Sequence, residues 1–193
     1  SWKVEFLRAL QKKVADRADL IIVPGNYLKN IIMKWGVNED KIKVVYNAVP
    51  EARLNLTKEE AKENLALQGD IIFSAGRLVP WKGFSLLIKL MPELLKVNPD
   101  FKLVIAGEGN GREDLENKKI ELGLNDEVSL VGSVSRDKIF EYMRASDMFV
   151  LNTGYEGLSH MTVEAMRIGL PVITTDAGGN AEIIKMEKME YCL

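Results

Sequence analysis

The sequence has little that could fix a fold by cross-links. Its one cysteine is Cys192 and its one histidine is His160, so no internal disulfide can form and no Cys/His spacing suggests a zinc site. No apolar run approaches the roughly 18–20 residues that a membrane span needs. The opening stretch SWKVEFLRALQKKVADRADL mixes charges into a helical pattern and lacks the apolar core and small-residue cleavage site of a signal peptide. A basic surplus is missing too. The 26 Lys and Arg residues against 28 Asp and Glu give a formal charge of −2, which argues against nucleic-acid binding across a broad face. Internal repeats and low-complexity segments are absent. The expectation from these absences is a soluble, cytoplasmic domain that needs no metal.

What is there describes a core-forming chain: 193 residues, 47% hydrophobic and 28% charged, enough for one domain and part of a second. Short continuous apolar runs predict strands at Leu20–Val23, Ile42–Tyr46, Ile71–Ser74, Lys102–Ala106, Val128–Val131, Met148–Leu151 and Pro171–Thr174. Amphipathic stretches between them predict helices near Trp2–Arg17, Tyr27–Trp35, Lys58–Leu67, Phe84–Val97, Arg112–Leu122, Asp137–Ala145 and Met161–Ile168. This alternation predicts an α/β fold with a doubly wound parallel sheet. Thr57 with Glu60 forms a capping-box pattern, Ser135 suits a helix start, and Gly36 and Gly123 suit helix ends. The segment NAVPEARLNL, from Asn47 to Leu56, breaks the periodicity and marks a boundary.

Two segments carry chemistry. In SAGRLVPWKGF, Ser74–Phe84, a strand runs into Gly76 and Arg77, then a loop with Lys82 and Gly83, then a helix. Backbone amides and a helix dipole beside two cations make a local anion site. Solvated loop cations are the plain alternative. The second segment, YEGLSHMTVEAMRIGLPVITTDAGGNAEII, places Glu156 just past a strand end, where open α/β sheets hold their ligands. Gly157, Leu158 and Ser159 then open a helix whose free amides can meet an anion or hydroxyl oxygens. Glu164 lies in that helix among Met161, Val163, Ala165, Met166 and Ile168. An apolar setting on nearly every side implies a partly buried carboxylate, and such a group demands partners. A ribose diol is a suitable one.

These two segments together resemble the retaining glycosyltransferases of GT-B fold, the glycosyltransferase group 1 family. Glu156 and Glu164, with seven residues between them, look like its Glu-x7-Glu motif. Arg77 and Lys82 look like its Arg-x4-Lys diphosphate clamp. The resemblance runs from Ala18 to about Lys185. It implies a Rossmann-like half of a GT-B fold over 47–185, the donor-binding domain, preceded at 1–46 by the last part of an acceptor-side domain. Arg77 and Lys82 would bind the donor diphosphate and stabilise the leaving nucleotide, and Glu164 would hold the ribose. Glu156 would face the transferred sugar, supported by Gly157, Leu158 and Ser159. Gly76 would belong to the same donor-binding loop as Arg77 and Lys82, and Val134 sits where backbone groups meet the base. Ser159 departs from the glycine that many members carry.

The implied reaction transfers a hexose-type sugar from a nucleoside diphosphate sugar, the co-substrate, to a glycan, lipid or small-molecule acceptor with retention. No separate cofactor is implied, and no Asp-x-Asp pair suggests a metal. Acceptor contact would come from the rest of the N-terminal domain, with peripheral membrane association of the full-length enzyme, so that this chain mainly binds donor. A non-catalytic nucleotide-sugar-binding module and an epimerase or phosphorylase of the same fold are the rival readings. GEGNGRED, Gly107–Asp114, looks like part of a dinucleotide fingerprint but reads G-x-G-x-G, which favours a turn cut for tight strand-to-helix packing over a nicotinamide site. The tail MEKMEYCL departs from the family's DGENGLL-like continuation. A single-base deletion in codons for such a sequence yields these residues, so 186–193 are expected to be an atypical end read from a shifted frame.

Overall fold

The computed structural model describes residues 2–48 and 55–184. The tail singled out above, 186–193, lies outside them. By contacts the described residues divide into two compact units: 2–48 with 156–159 and 176–184, and 55–155 with 160–175.

The first unit contains α1 (Trp2–Arg17), β1 (Ile21–Val23), α2 (Asn26–Lys34), a 3-10 turn (Glu39–Lys41), β2 (Ile42–Val44) and the short α8 (Asn180–Ile183). β1 and β2 pair in parallel, Ile21 opposite Ile42. Their small core is Ala15, Val23, Val37 and Ile42, backed by Leu28, Ile32 and Met33. Glu182 of α8 ties this unit together. It accepts from the backbone amides of Tyr27 (2.6 Å) and Asn26 (2.8 Å) at the start of α2, and from the Tyr46 hydroxyl (3.0 Å). A carboxylate is well matched to a helix N-terminus, where amides lack intrahelical partners. Desolvation pushes the Glu182 carboxyl up, but these hydrogen bonds outweigh it and hold it below the usual carboxylate range.

The second unit contains α3 (Lys58–Asn64), β3 (Asp70–Ala75), a 3-10 turn (Pro80–Lys82), α4 (Phe84–Val97), β4 (Phe101–Ala106), α5 (Arg112–Glu121), β5 (Val128–Gly132), α6 (Arg136–Ala145), β6 (Met148–Leu151), α7 (His160–Arg167) and β7 (Val172–Thr174). Its sheet is wholly parallel, ordered β5-β4-β3-β6-β7. β3 lies at the centre, and the order reverses between β3 and β6. Because successive strand residues face opposite sides, Ile71, Phe73 and Ala75 enter one core with α6 and α7, while Ile72 joins the other with α4 and α5. Phe73 stacks on Tyr142 with ring centroids 5.6 Å apart. The expected α/β, doubly wound architecture is the one observed. β7 starts one residue after the expected Pro171, which lacks an amide but offers its carbonyl to Phe149 (2.8 Å).

α3 is shorter than its amphipathic pattern. It opens with the expected capping box of Thr57 and Glu60 but stops at Asn64 instead of continuing to Leu67. Ala66 takes the left-handed conformation, φ 52°. Its amide bonds the Glu63 carbonyl (3.1 Å) and that of Leu67 bonds the Lys62 carbonyl (2.9 Å), the pattern of a Schellman stop. Glycine is usual at that position, so alanine hides the stop. Replacing Ala66 with Gly removes the left-handed penalty, and we expect Ala66→Gly to gain about 0.5–1 kcal/mol. Chemical denaturation checks this; a loss of stability would contradict it.

Asp147, between α6 and β6, anchors α3 and β3 at once. It pairs with Lys58, accepts from the Ile71 amide (2.8 Å) and lies 3.7 Å from the Lys62 ammonium. Desolvation raises its carboxyl, yet the Lys58 and Ile71 hydrogen bonds prevail and depress it. A depressed carboxyl stabilises the fold above its unfolded value of about 3.9 and loses that contribution as pH falls through the folded value. Asp147→Asn is expected to cost on the order of 1–2 kcal/mol at pH 7. Urea titrations at pH 7 and pH 3 should show that deficit shrinking in acid; an unchanged deficit would rule out the ionic origin.

Candidate functional site

In an open parallel sheet the loops leaving the carboxyl ends of the strands part where strand order reverses, and a crevice opens there. In the second unit that point lies between β3 and β6. A cleft of ≈ 350 Å³ is lined by Gly76 and Arg77 after β3, Gly107 and Glu108 after β4, and Ser133 and Val134 after β5. Ile139 and Met161 form its apolar wall.

The loop carrying the two cations is held by backbone contacts on both sides. On one side Leu78 donates to the Glu108 carbonyl and Gly111 donates to the Leu78 carbonyl, both at 2.9 Å. A Cβ at Gly107 would stand 1.8 Å from the Gly76 carbonyl oxygen, and one at Gly109 would stand 2.4 Å from that of Leu78. The glycines of GEGNG are therefore spent on packing one loop against another, where the spacing favoured tight strand-to-helix packing. On the other side Gly154 donates to the Trp81 carbonyl (2.7 Å), and a Cβ at Gly83 would stand 1.9 Å from the Asn152 carbonyl oxygen.

Between these seams Arg77 is exposed, its guanidinium carbon 5.9 Å from the Trp81 ring. Lys82 is half-buried, and its stem passes Gly76, with Cδ and Cε 3.8 Å from where a Cβ would stand there. Arginine gives a planar fork for phosphate oxygens and lysine a point charge on a mobile stem.

Glu164 is 2% exposed in α7, the buried carboxylate that the apolar helix predicted. One oxygen, Oε1, accepts from Arg136 Nη2. The other, Oε2, has no hydrogen-bond partner among the described residues. A buried acceptor left that way costs about 1–3 kcal/mol. It suits a ligand that brings a donor. Arg136 escaped the sequence reading. Its one signal was position: the first residue of α6, directly after the loop that supplies Ser133 and Val134. The capping of that helix was legible, with Ser135 Oγ accepting from the Lys138 amide (3.3 Å).

Glu156, Gly157, Leu158 and Ser159 belong to the first unit. Glu156 is half-buried, and Leu158 and Ser159 are buried. The segment rests on Gly178 and Gly179. A Cβ at Gly178 would stand 1.7 Å from the Glu156 carbonyl oxygen, and one at Gly179 would stand 1.9 Å from that of Gly157. Gly179 also donates to the Glu156 carbonyl (3.1 Å), and Asn47 Nδ2 donates to that of Leu158 (3.2 Å). The sequence named GLPVITTDAGGNAEII as part of a motif without saying what its glycines do. Of the predicted residues, the second unit thus gathers Gly76, Arg77 and Val134 on one cleft, runs Lys82 beside Gly76 and gives Glu164 an arginine partner. The first unit holds Glu156–Ser159. Among the described residues no group of three or more His, Cys, Asp and Glu side chains could hold a metal ion.

Residues 56–193 match the family model described as Glycosyl transferases group 1, and residues 1–53 match that of Glycosyltransferase Family 4. An uncharacterised glycosyltransferase of Methanocaldococcus jannaschii is 34% identical over 89% of this chain and 46% of its own length. A Campylobacter jejuni protein, N-acetylgalactosamine-N,N'-diacetylbacillosaminyl-diphospho-undecaprenol 4-alpha-N-acetylgalactosaminyltransferase, is 31% identical over 83% of this chain and 42% of its own. The crystal structure of Anabaena HepE in complex with UDP-glucose superposes with a TM-score of 0.80 at 25% identity, over 92% of this chain and 50% of that one. The chain thus spans about half the length of the proteins it matches.

The backbone contacts at Gly178 leave no room for any side chain. Gly178→Ala is expected to cost about 3 kcal/mol or more, from a clash with main-chain atoms at positive φ. Gly123→Ala, at φ 68° with nothing within 4 Å of the new Cβ, should cost only about 1 kcal/mol. Equal losses in denaturant unfolding would show that φ alone, and not the contact with Glu156, demands glycine at 178.

Proposed function

Since this chain belongs to the glycosyl transferases group 1 family, with an α/β GT-B fold, we propose that it carries the donor site of a retaining glycosyltransferase. In this reading it binds a nucleoside diphosphate sugar through Arg77, Lys82 and Glu164. The observation that carries it is the buried Glu164 with one oxygen on Arg136 and the other lacking a donor among the described residues, in the same unit as the two-cation loop. A ribose diol supplies hydroxyl donors for such a carboxylate, and a diphosphate supplies the charge that Arg77 and Lys82 would meet.

The reaction breaks the bond between the anomeric carbon and a diphosphate oxygen, forms one to an acceptor hydroxyl oxygen and releases that hydroxyl's proton. Negative charge grows on the departing diphosphate, so fixed cations and oriented amides beside it lower the barrier without reorganising. Arg77 and Lys82 take that role. Glu156 faces the transferred hexose, and the amides of Gly157, Leu158 and Ser159 support sugar and phosphate. Backbone groups at Val134 meet the base, and Gly76 lines the same cleft. Ser159, in place of a glycine, either narrows the sugar pocket or adds a hydroxyl to it. Residues 47–185 are the donor domain in this reading, and the chemistry calls on no metal and no separate cofactor.

The UDP-glucose bound by HepE supports a nucleotide-sugar donor, and the diphospho-undecaprenol in the Campylobacter enzyme's name supports a lipid-linked glycan acceptor. The full-length protein would then work in the cytoplasm against the membrane surface. Because this chain spans about half of its relatives' length, we expect it to bind donor and to transfer little by itself.

Calorimetric titration with UDP-, GDP- and ADP-sugars tests the reading. Charge-assisted contacts of this kind are worth about 1.5–3 kcal/mol, so Arg77→Ala, Lys82→Ala and Glu164→Ala should each weaken the best donor by roughly 10- to 100-fold. Affinities unchanged in all three would refute the site.

A further inference from the structure

Arg136 stands where it can govern how Glu164 presents itself. The carboxylate is buried, and a buried charge persists only with a partner and a fixed geometry. Arg136 supplies that partner to Oε1. Its own side chain is 53% exposed, with the guanidinium carbon 5.7 Å from the Phe140 ring one turn along α6. An arginine pinned at one end by a helix N-terminus and resting on an aromatic face has few orientations. Through the Oε1 contact that stiffness passes to the carboxylate plane and fixes where Oε2 points. We propose that Arg136 is a positioning residue of the donor site, holding Glu164 so that Oε2 accepts from a ribose hydroxyl, and that discrimination for the ribose diol depends on it.

This rests on the reading of Glu164 as the ribose anchor, and the two are separable. Arg136 touches Glu164 and Phe140. The diphosphate is assigned to Arg77 and Lys82, on a different loop. Losing Arg136 should therefore damage recognition of the sugar hydroxyls and leave recognition of phosphate intact. Lysine at 136 keeps a positive charge but loses the planar fork, so its rescue should be partial.

The experiment measures dissociation constants of the full chain for UDP, 2′,3′-dideoxy-UDP and inorganic pyrophosphate, with the ADP and GDP pairs in parallel. The ratio of dideoxy to ribo affinity reports the diol alone. In the unaltered chain the ratio should favour the ribonucleotide by roughly 10-fold or more, the worth of a charge-assisted hydrogen bond. Arg136→Ala should bring it close to unity, Arg136→Lys should restore part of it, and pyrophosphate binding should stay within about twofold throughout. In a double-mutant cycle with Glu164→Gln, the second change should add little once the first is made. The double variant also removes the buried unpaired charge, which keeps the cycle readable if Arg136→Ala alone folds poorly. A wild-type ratio in Arg136→Ala alongside a lost ratio in Glu164→Ala would overturn the proposal and spare the ribose reading. A wild-type ratio in Glu164→Ala would overturn the ribose reading itself. Additive effects, or a parallel loss of pyrophosphate binding, would reduce Arg136 to a structural residue.

Discussion

Main-chain oxygen cannot be approached closely by another main chain if a Cβ stands between them. The site loops of this protein lie within that distance of each other at Gly107 against Gly76, Gly83 against Asn152, and Gly178 and Gly179 against Glu156 and Gly157. Two of the segments proposed for donor binding, the loop of Arg77 and Lys82 and the segment of Glu156, hang from these contacts. The first fixes the turn that carries Arg77. The second fixes the end of the same loop, just past Lys82. The third and fourth fix the segment that bears Glu156. Glycine appears at these points because of what it omits. Rigidity at the site comes from backbone seams, so the cations themselves remain exposed or half-buried for a ligand.

Glu164 and Glu182 show two ways of handling a carboxylate in this fold. Glu182 is satisfied by its own unit, with two backbone amides and a tyrosine hydroxyl, and it acts as a clasp. Glu164 is more deeply buried and less completely satisfied, with one arginine and, among the described residues, one oxygen lacking a hydrogen bond. A group that is costly to bury and half-served by the protein is the sort that a ligand completes. The contrast is one of satisfaction, a fully served acid against a half-served one, although both are glutamates on helices.

Much of this was legible in the sequence. Among the described residues all seven strands and seven of the helices follow from short apolar runs and 3.6-residue periodicity, because a sheet covered on both faces leaves a plain pattern. The burial of Glu164, and the place of Arg77 and Lys82 on the loop between β3 and α4, were legible through residue type and spacing. Three things were not. The stop of α3 was hidden because alanine occupies a left-handed position that glycine usually marks. α8 has only four residues, too few for any period. Arg136 was invisible because its partner is 28 residues away, and a pairing across the fold leaves no local trace.

The first unit draws its residues from both ends of the described chain. Glu182 reaches back across 156 positions to the amide of Asn26, while the five-stranded sheet lies wholly between those ends. A chain made from its N-terminus onward would therefore complete the sheet while β1, β2 and α2 still lacked their closing element. Long-range closures of this kind are slow and leave apolar surface waiting. Among the described residues the order of synthesis follows from the topology: every strand of the sheet is made before the Glu182 clasp that ties α8 to α2.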